Sequence, residues 1–184
     1  MNLEEKQLNC SYIYKGRIIN LRKDTALLPD GSTAEREVIE HPGGVCVVAI
    51  NKNKEIYLVT QYRYPYSELL LEIPAGKRDK PNESPLNAAM RELKEETGCT
   101  AGRYYDLGKF YPTPGYVNEV IYMFAAADIT EGKSNPDDDE FIECTKMPIV
   151  TAVEKIMAGE ITDGKTIAAV LKVKCLLESR KIEI

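Results

Sequence analysis

Residues 76–99 read G-K-R-D-K-P-N-E-S-P-L-N-A-A-M-R-E-L-K-E-E-T-G-C. The spacing predicts a glycine-turned loop that runs into a short amphipathic helix. Ser84 can cap that helix, Pro85 suits its first position, and Gly98 can end it in the left-handed conformation. Leu86, Ala89, Met90 and Leu93 recur at i, i+3, i+4 and i+7 and make one apolar face. Glu92, Glu95 and Glu96 recur at i, i+3 and i+4 and project from a neighbouring face. Like charges at this spacing weaken an isolated helix by about 0.2–0.5 kcal/mol per pair, and only Arg91 is well placed to offset them. For an arbitrary E-x-x-E-E the commoner explanation is a solvated acidic face. The sharper one is a site for a hard divalent cation, since Mg2+ takes oxygen ligands and suits a few carboxylates on a rigid helix.

The surrounding residues favour the sharper reading. Gly76, Glu83, Arg91, Glu92, Leu93, Glu95, Glu96, Gly98 and Cys99 fill a pattern that resembles the box of the Nudix hydrolases, G-x5-E-x7-R-E-U-x-E-E-x-G-U, with U bulky and apolar. There is one departure. Six residues, not five, separate Gly76 from Glu83, so the extra residue is expected to bulge in the Lys77–Asn82 loop. The spacing from Glu83 to Arg91 is intact.

The chain has 184 residues, 43% apolar and 29% charged, which fits one domain with a sizeable core and a small appended element. A net charge of −5 argues against nucleic acid as a partner, although a metal and a few arginines can neutralise a small phosphate-bearing ligand locally. Cys10, Cys46, Cys99, Cys144 and Cys175 are dispersed with no C-x-x-C pair, which points to reduced thiols and a cytoplasmic setting. The lone histidine, His41, sits in an H-P-G-G turn and reads as structural. No stretch looks like a secretory leader, and no apolar run approaches the ~18 residues of a membrane span.

In order, Tyr12–Tyr14, Ile18–Asp24 and Arg36–Ile39 have strand character, with a turn at Pro29-Asp30-Gly31. Residues 1–40 are thus a small antiparallel β unit, and 41–184 the main domain. Strand alternation would put Tyr12 and Tyr14 on one face, either for packing or for stacking on a flat base. Val45–Ile50 reads as a central strand buried on both faces. Glu55–Tyr62 and Leu69–Ile73 are further strands, then come the helix and strands over Arg103–Phe110, Val117–Ala127 and Glu140–Met147. Helices are expected over Pro148–Gly159 and Thr166–Ser179. The order is that of an α/β layer structure, and the resemblance implies a Nudix-like α/β/α sandwich with a mixed sheet.

Most of the chain resembles one branch of that family, the ADP-ribose pyrophosphatases. The likeness rests on Gln61-Tyr62-Arg63-Tyr64-Pro65, Leu71-Glu72-Ile73-Pro74-Ala75-Gly76-Lys77, Tyr111-Pro112-Thr113-Pro114-Gly115, Asp139-Glu140-Phe141-Ile142-Glu143 and Asp163-Gly164-Lys165-Thr166. It implies hydrolysis of ADP-ribose, with related ADP-sugars, to AMP and ribose 5-phosphate. It implies two or three Mg2+ ions, Mn2+ being an alternative, on Glu92, Glu96, the Ala75 carbonyl and Glu95. Arg91 and Glu83 would brace loop to helix. The base would lie on an acidic loop, with Glu140 the first choice and Asp138 the alternative. Arg63 and Arg36 would grip phosphate or ribose, Glu72 would meet adenine or ribose, and Pro114 marks the branch. A homodimer that exchanges residues 1–40 as an arm would make Tyr12 or Tyr14 a stacking platform. Two alternatives stay open: a hydrolase of another nucleoside diphosphate sugar such as GDP-mannose, and a non-catalytic nucleotide sensor.

Overall fold

The computed structural model describes residues 2–78, 80–135 and 141–184. They form two compact units. One runs to Gly43 and includes Tyr111–Val120; the other is Gly44–Phe110 with Ile121–Ile184.

The first unit is an antiparallel sheet of β1 (Lys6–Lys15), β2 (Asn20–Leu27) and β3 (Thr33–Glu40), in that order. The turn expected at Pro29-Asp30-Gly31 joins β2 to β3. Gly31 adopts φ +88 there, which favours glycine, and Asp30 Oδ1 accepts the Ser32 N–H at 2.9 Å. β1 is exposed along its whole length. A register shift between Tyr12 and Tyr14 interrupts its pairing with β2. Such a bulge breaks the alternation on which a shared face for the two tyrosines depends. The Tyr111–Val120 segment is tied to β3, where the Ile39 N–H reaches Tyr116 O at 2.8 Å and the Asn118 N–H reaches Ile39 O at 3.0 Å. That commitment corrects the strand expected from Val117, which starts at Ile121.

The second unit contains β4 (Gly44–Ala49), β5 (Glu55–Arg63), β6 (Glu68–Glu72), β7 (Ala75–Lys77), α1 (Pro85–Thr97), β8 (Thr100–Phe110), β9 (Ile121–Thr130), β10 (Ile142–Pro148), α2 (Ile149–Met157) and α3 (Gly164–Glu178). One sheet has the order β7-β4-β9-β8 and is mixed, with β4 and β9 parallel; a second, β10-β5-β6, is antiparallel. All six residues of β4 are buried. Strand alternation sends Val45, Val47 and Ala49 to one core with Ala88, Ala89 and Leu93 of α1. Cys46, Val48 and Ile50 go to the other core with Ala152 and Ile156 of α2 and Val170 and Val173 of α3. Helices therefore cover both faces, giving the α/β/α layering. No described helix is long and apolar enough to cross a membrane.

β7 is not legible in sequence, being three residues long with glycine at its centre. Its pairing of Ala75 with Cys46 and Gly76 with Val45 lays this backbone beside the central strand. There α1 passes over it.

Candidate active site

Helix α1 is built as its sequence predicts. The Ser84 side chain accepts the Asn87 N–H, Pro85 opens the helix, and Gly98 closes it at φ +74 with its N–H on Lys94 O at 2.9 Å. Its rotation is another matter. Leu86 and Met90 are exposed, whereas Ala88, Ala89, Glu92, Leu93 and Glu96 are buried. The inward face is thus part alanine and part carboxylate, with Glu92 only 7% and Glu96 only 3% exposed.

Both carboxylates meet the Ala75–Gly76 backbone. Glu96 Oε2 accepts the Ala75 N–H at 3.1 Å. A Cβ added at Gly76 would fall on the Glu92 carboxylate, so the bare Cα of glycine makes the room that this side chain fills.

Arg91 joins the remaining acids. Its Nε and Nη2 donate to Glu83 at 3.0 and 3.1 Å, and Nη1 donates to Glu92 at 2.7 Å and to Glu95 at 2.8 Å. The fork on Glu83 and the bridge between Glu92 and Glu95 use the fixed geometry of the guanidinium. The Arg91 hydrogen bond holds the Glu83 carboxyl below its ordinary pKa. The loop with the additional residue turns at Asn82, which has φ +63, and closes with Glu83 N–H on Lys80 O at 3.3 Å. Glu83 reaches Arg91 all the same.

Among the described residues, no group of three acidic, histidine or cysteine side chains is already arranged to enclose an ion. The donor chemistry nonetheless fits a hard cation: two buried carboxylates on a rigid helix, a third on the same helix, and a peptide alongside, all offering oxygen.

Glu72 and Arg63 face each other. Arg63 Nε and Nη2 donate to the two Glu72 oxygens at 2.6 Å each, and the Lys165 ammonium donates to Glu72 as well. With its side chain 2% exposed and both oxygens engaged, Glu72 holds two cations and offers nothing to solvent. Burial works to raise its pKa, but the Arg63 hydrogen bond and the Lys165 charge outweigh burial and hold it below the ordinary value. A carboxylate with a depressed folded pKa contributes stability above its unfolded value of about 4.3 and loses it as pH falls through the folded value. The difference in Tm between the wild type and Glu72→Gln is therefore expected to be widest near neutral pH and to close on acidification from pH 5 to pH 3. Scanning calorimetry across that range checks it, and a pH-independent difference would contradict the ionised pair.

Lys165 and its neighbours are the residues that sequence reasoning passed over. Asp163 caps α3, accepting from Thr166 N at 2.9 Å, and also accepts from Lys165 at 3.0 Å. Thr166 Oγ1 in turn accepts the Ile73 N–H at 2.9 Å. The run D-G-K-T was legible only as part of the likeness, and nothing in it showed what the buried lysine faces.

The other expected site residues lie in the first unit. Arg36 makes an exposed two-pronged pair with Glu5 at 2.9 and 2.7 Å. The Tyr12 hydroxyl donates to Glu40 at 3.2 Å, and the Lys15 ammonium lies 4.2 Å from its ring centroid. Tyr14 and Pro114 are exposed. Glu140 and Asp138 lie outside the described residues.

Residues 40–170 match the family described as NUDIX domain, and residues 5–39 match the nucleoside diphosphate sugar hydrolase N-terminal domain. The chain is 36% identical over 184 residues to a Bacillus subtilis ADP-ribose pyrophosphatase, covering 98% of this chain and 99% of the relative. It is 38% identical over 169 residues to a Bacillus methanolicus methanol dehydrogenase activator, covering 91% of each. It is 35% identical over 154 residues to a Yersinia enterocolitica GDP-mannose pyrophosphatase, covering 77% of this chain and 80% of the relative. A crystal structure of an ADP compounds hydrolase superposes with a TM-score of 0.85 over 98% of both chains at 22% identity, a likeness of fold alone.

Proposed function

This chain belongs to the Nudix family, and on that premise we propose that it hydrolyses the pyrophosphate bond of ADP-ribose, and of related ADP-sugars, to AMP and ribose 5-phosphate. The observation that carries the reading is the buried Glu92–Glu96 pair set against the Ala75–Gly76 backbone. The near full-length likeness to an ADP-ribose pyrophosphatase supports it.

Hydrolases of this family work with a divalent metal. Our reading is Mg2+, with Mn2+ as an alternative, in two or three ions. When bound, it neutralises pyrophosphate charge, polarises a phosphoryl oxygen and orients a water. Glu92, Glu96, Glu95 and the Ala75 carbonyl hold it. Arg91 keeps Glu92 and Glu95 in place and ties them to Glu83, so the donors are fixed before substrate arrives. Arg63 meets a phosphate. Water adds to one phosphorus as the bridging P–O bond breaks, and its proton passes to a carboxylate, for which Glu140 is our assignment and Asp138 the alternative.

We further read the protein as a cytoplasmic homodimer that exchanges the β1–β3 arm, with Arg36, Tyr12, Tyr14 and Pro114 on the substrate side. Support comes from β1, whose Leu8, Tyr12, Ile13 and Tyr14 are exposed and call for cover. Sedimentation velocity tests it, and a monomer at micromolar concentration would end it.

The functional test is incubation with ADP-ribose, with and without Mg2+, followed by chromatography. Metal-dependent AMP and ribose 5-phosphate are expected. The second reading, a GDP-mannose pyrophosphatase, is favoured by the Yersinia relative and would be indicated by cleavage of GDP-mannose alone. Tight binding with no turnover would indicate a sensor, a reading that leaves the full set Glu92, Glu95 and Glu96 unexplained.

A further inference from the structure

The Lys165 ammonium is buried at the start of α3, with its residue 9% exposed, and the mechanism above gives it no role. Long cationic side chains are seldom this buried unless paired. It donates to Glu72 Oε2, the oxygen that also accepts Arg63 Nη2, and Asp163 completes the group. We propose that Lys165 is a positioning residue for pyrophosphate hydrolysis: it holds the Glu72 carboxylate so that Arg63, bound through Nε and Nη2, presents Nη1 to a substrate phosphate. This inference rests on the function proposed above.

Three observations lead there. First, the geometry of the fork is decided by Glu72. A side-on bidentate pair through Nε and Nη2 leaves Nη1 as the guanidinium nitrogen not used by that carboxylate. Arg63 is the more exposed partner, at 36% of its side chain against 2% for Glu72. The Glu96 charge also acts on the Arg63 guanidinium, so the arginine shares one electrostatic neighbourhood with the α1 carboxylates.

Second, the charges balance only with Lys165. Arg63 and Lys165 face Glu72 and Asp163, two cations and two carboxylates. Without the ammonium, Arg63 would face phosphate from inside a net negative cluster, and a low-dielectric surround makes that repulsion costly.

Third, the same turn of helix fixes the backbone that leads to the metal site. Thr166 Oγ1 accepts the Ile73 N–H, two residues before Ala75, whose own N–H is bonded to Glu96. The α3 start thus supports both the arginine and the peptide that borders the metal carboxylates.

The test is a double-mutant cycle on kcat and KM with ADP-ribose and Mg2+, using Lys165→Met, Arg63→Met and both together. Lys165→Met is expected to raise KM about tenfold with kcat within about threefold, the signature of lost ground-state grip. In the Arg63→Met background, adding Lys165→Met is expected to change KM by less than about threefold, because Lys165 acts through that arginine. An unchanged KM in Lys165→Met, or an effect that multiplies in full in the double variant, would overturn the proposal. A purely structural role would lower Tm and kcat together without that coupling to Arg63. Lys165→Gln, which keeps a donor, replaces Lys165→Met if the latter does not fold. Absence of ADP-ribose turnover by the wild type would instead count against the substrate reading. The cycle then runs on GDP-mannose, which carries the same pyrophosphate, or is read as the Kd of ADP-ribose where neither is cleaved.

Discussion

Replacing Glu96 with glutamine is expected to keep the fold and to lower kcat/KM by at least ~100-fold, roughly 2.7 kcal/mol of transition-state stabilisation. The fold survives because glutamine has the same shape and its amide oxygen can still accept the Ala75 N–H that Glu96 accepts at 3.1 Å. Activity is lost because a hard cation is held by anionic oxygen, which the amide does not provide. The variant should keep a cooperative melt when Mg2+ is absent, because the Ala75 contact is retained. It should also lose most of the Tm increase that Mg2+ is expected to give the wild type if it binds the native state as proposed. Steady-state kinetics and melting curves with and without Mg2+ check both halves. Near-normal turnover would remove the metal assignment.

Replacing Arg91 with methionine is expected to cost mainly stability. Its guanidinium is the cation that Glu83, Glu92 and Glu95 share, through four contacts of 2.7–3.1 Å. Removing one member of a buried charge group costs about 3–5 kcal/mol when the others are left in place. Arg91 is 19% and Glu95 29% exposed, so water relieves part of this. The lower end, about 3 kcal/mol, is the reasonable figure, and for a domain of this size it lowers Tm by roughly 6–12 °C. Mg2+ should restore part of that loss, since a second cation then meets Glu92 and Glu95. Calorimetry on the two forms, each with and without Mg2+, decides the matter. A fall of less than about 2 °C would mean that the bridge is a surface pair of small value.

The two variants separate the charges proposed to hold a metal from the charge that holds the carboxylates. They also show how the site stays folded with so many acids on one helix. Arg91 occupies the place between Glu92 and Glu95, while Glu92 is seated over Gly76 and Glu96 is bonded to the Ala75 N–H. These contacts offset the like-charge repulsion that the sequence raised as a difficulty.

Much of this was written locally in the chain. The caps of α1, the spacing of its carboxylates, the Glu83–Arg91 interval and the six-residue buried strand β4 are all features of short-range periodicity, and helix and strand geometry convert that periodicity directly into faces. The rotation of α1 was not. Leu86 and Met90 outrank alanine in hydrophobicity, yet Ala88, Ala89 and Leu93 face the sheet. In that orientation Glu92 and Glu96 meet the backbone of β7, a strand too short for its spacing to announce it. The fate of Glu72 was equally out of reach. Its partners, Arg63 and Lys165, lie nine residues before it and 93 after it. The sequence by itself determined which helix carries the carboxylates and which strand lies at the centre. Only the tertiary structure decided which way the helix turns and which charges meet, because those outcomes depend on how distant segments return to one another, and no local spacing records that.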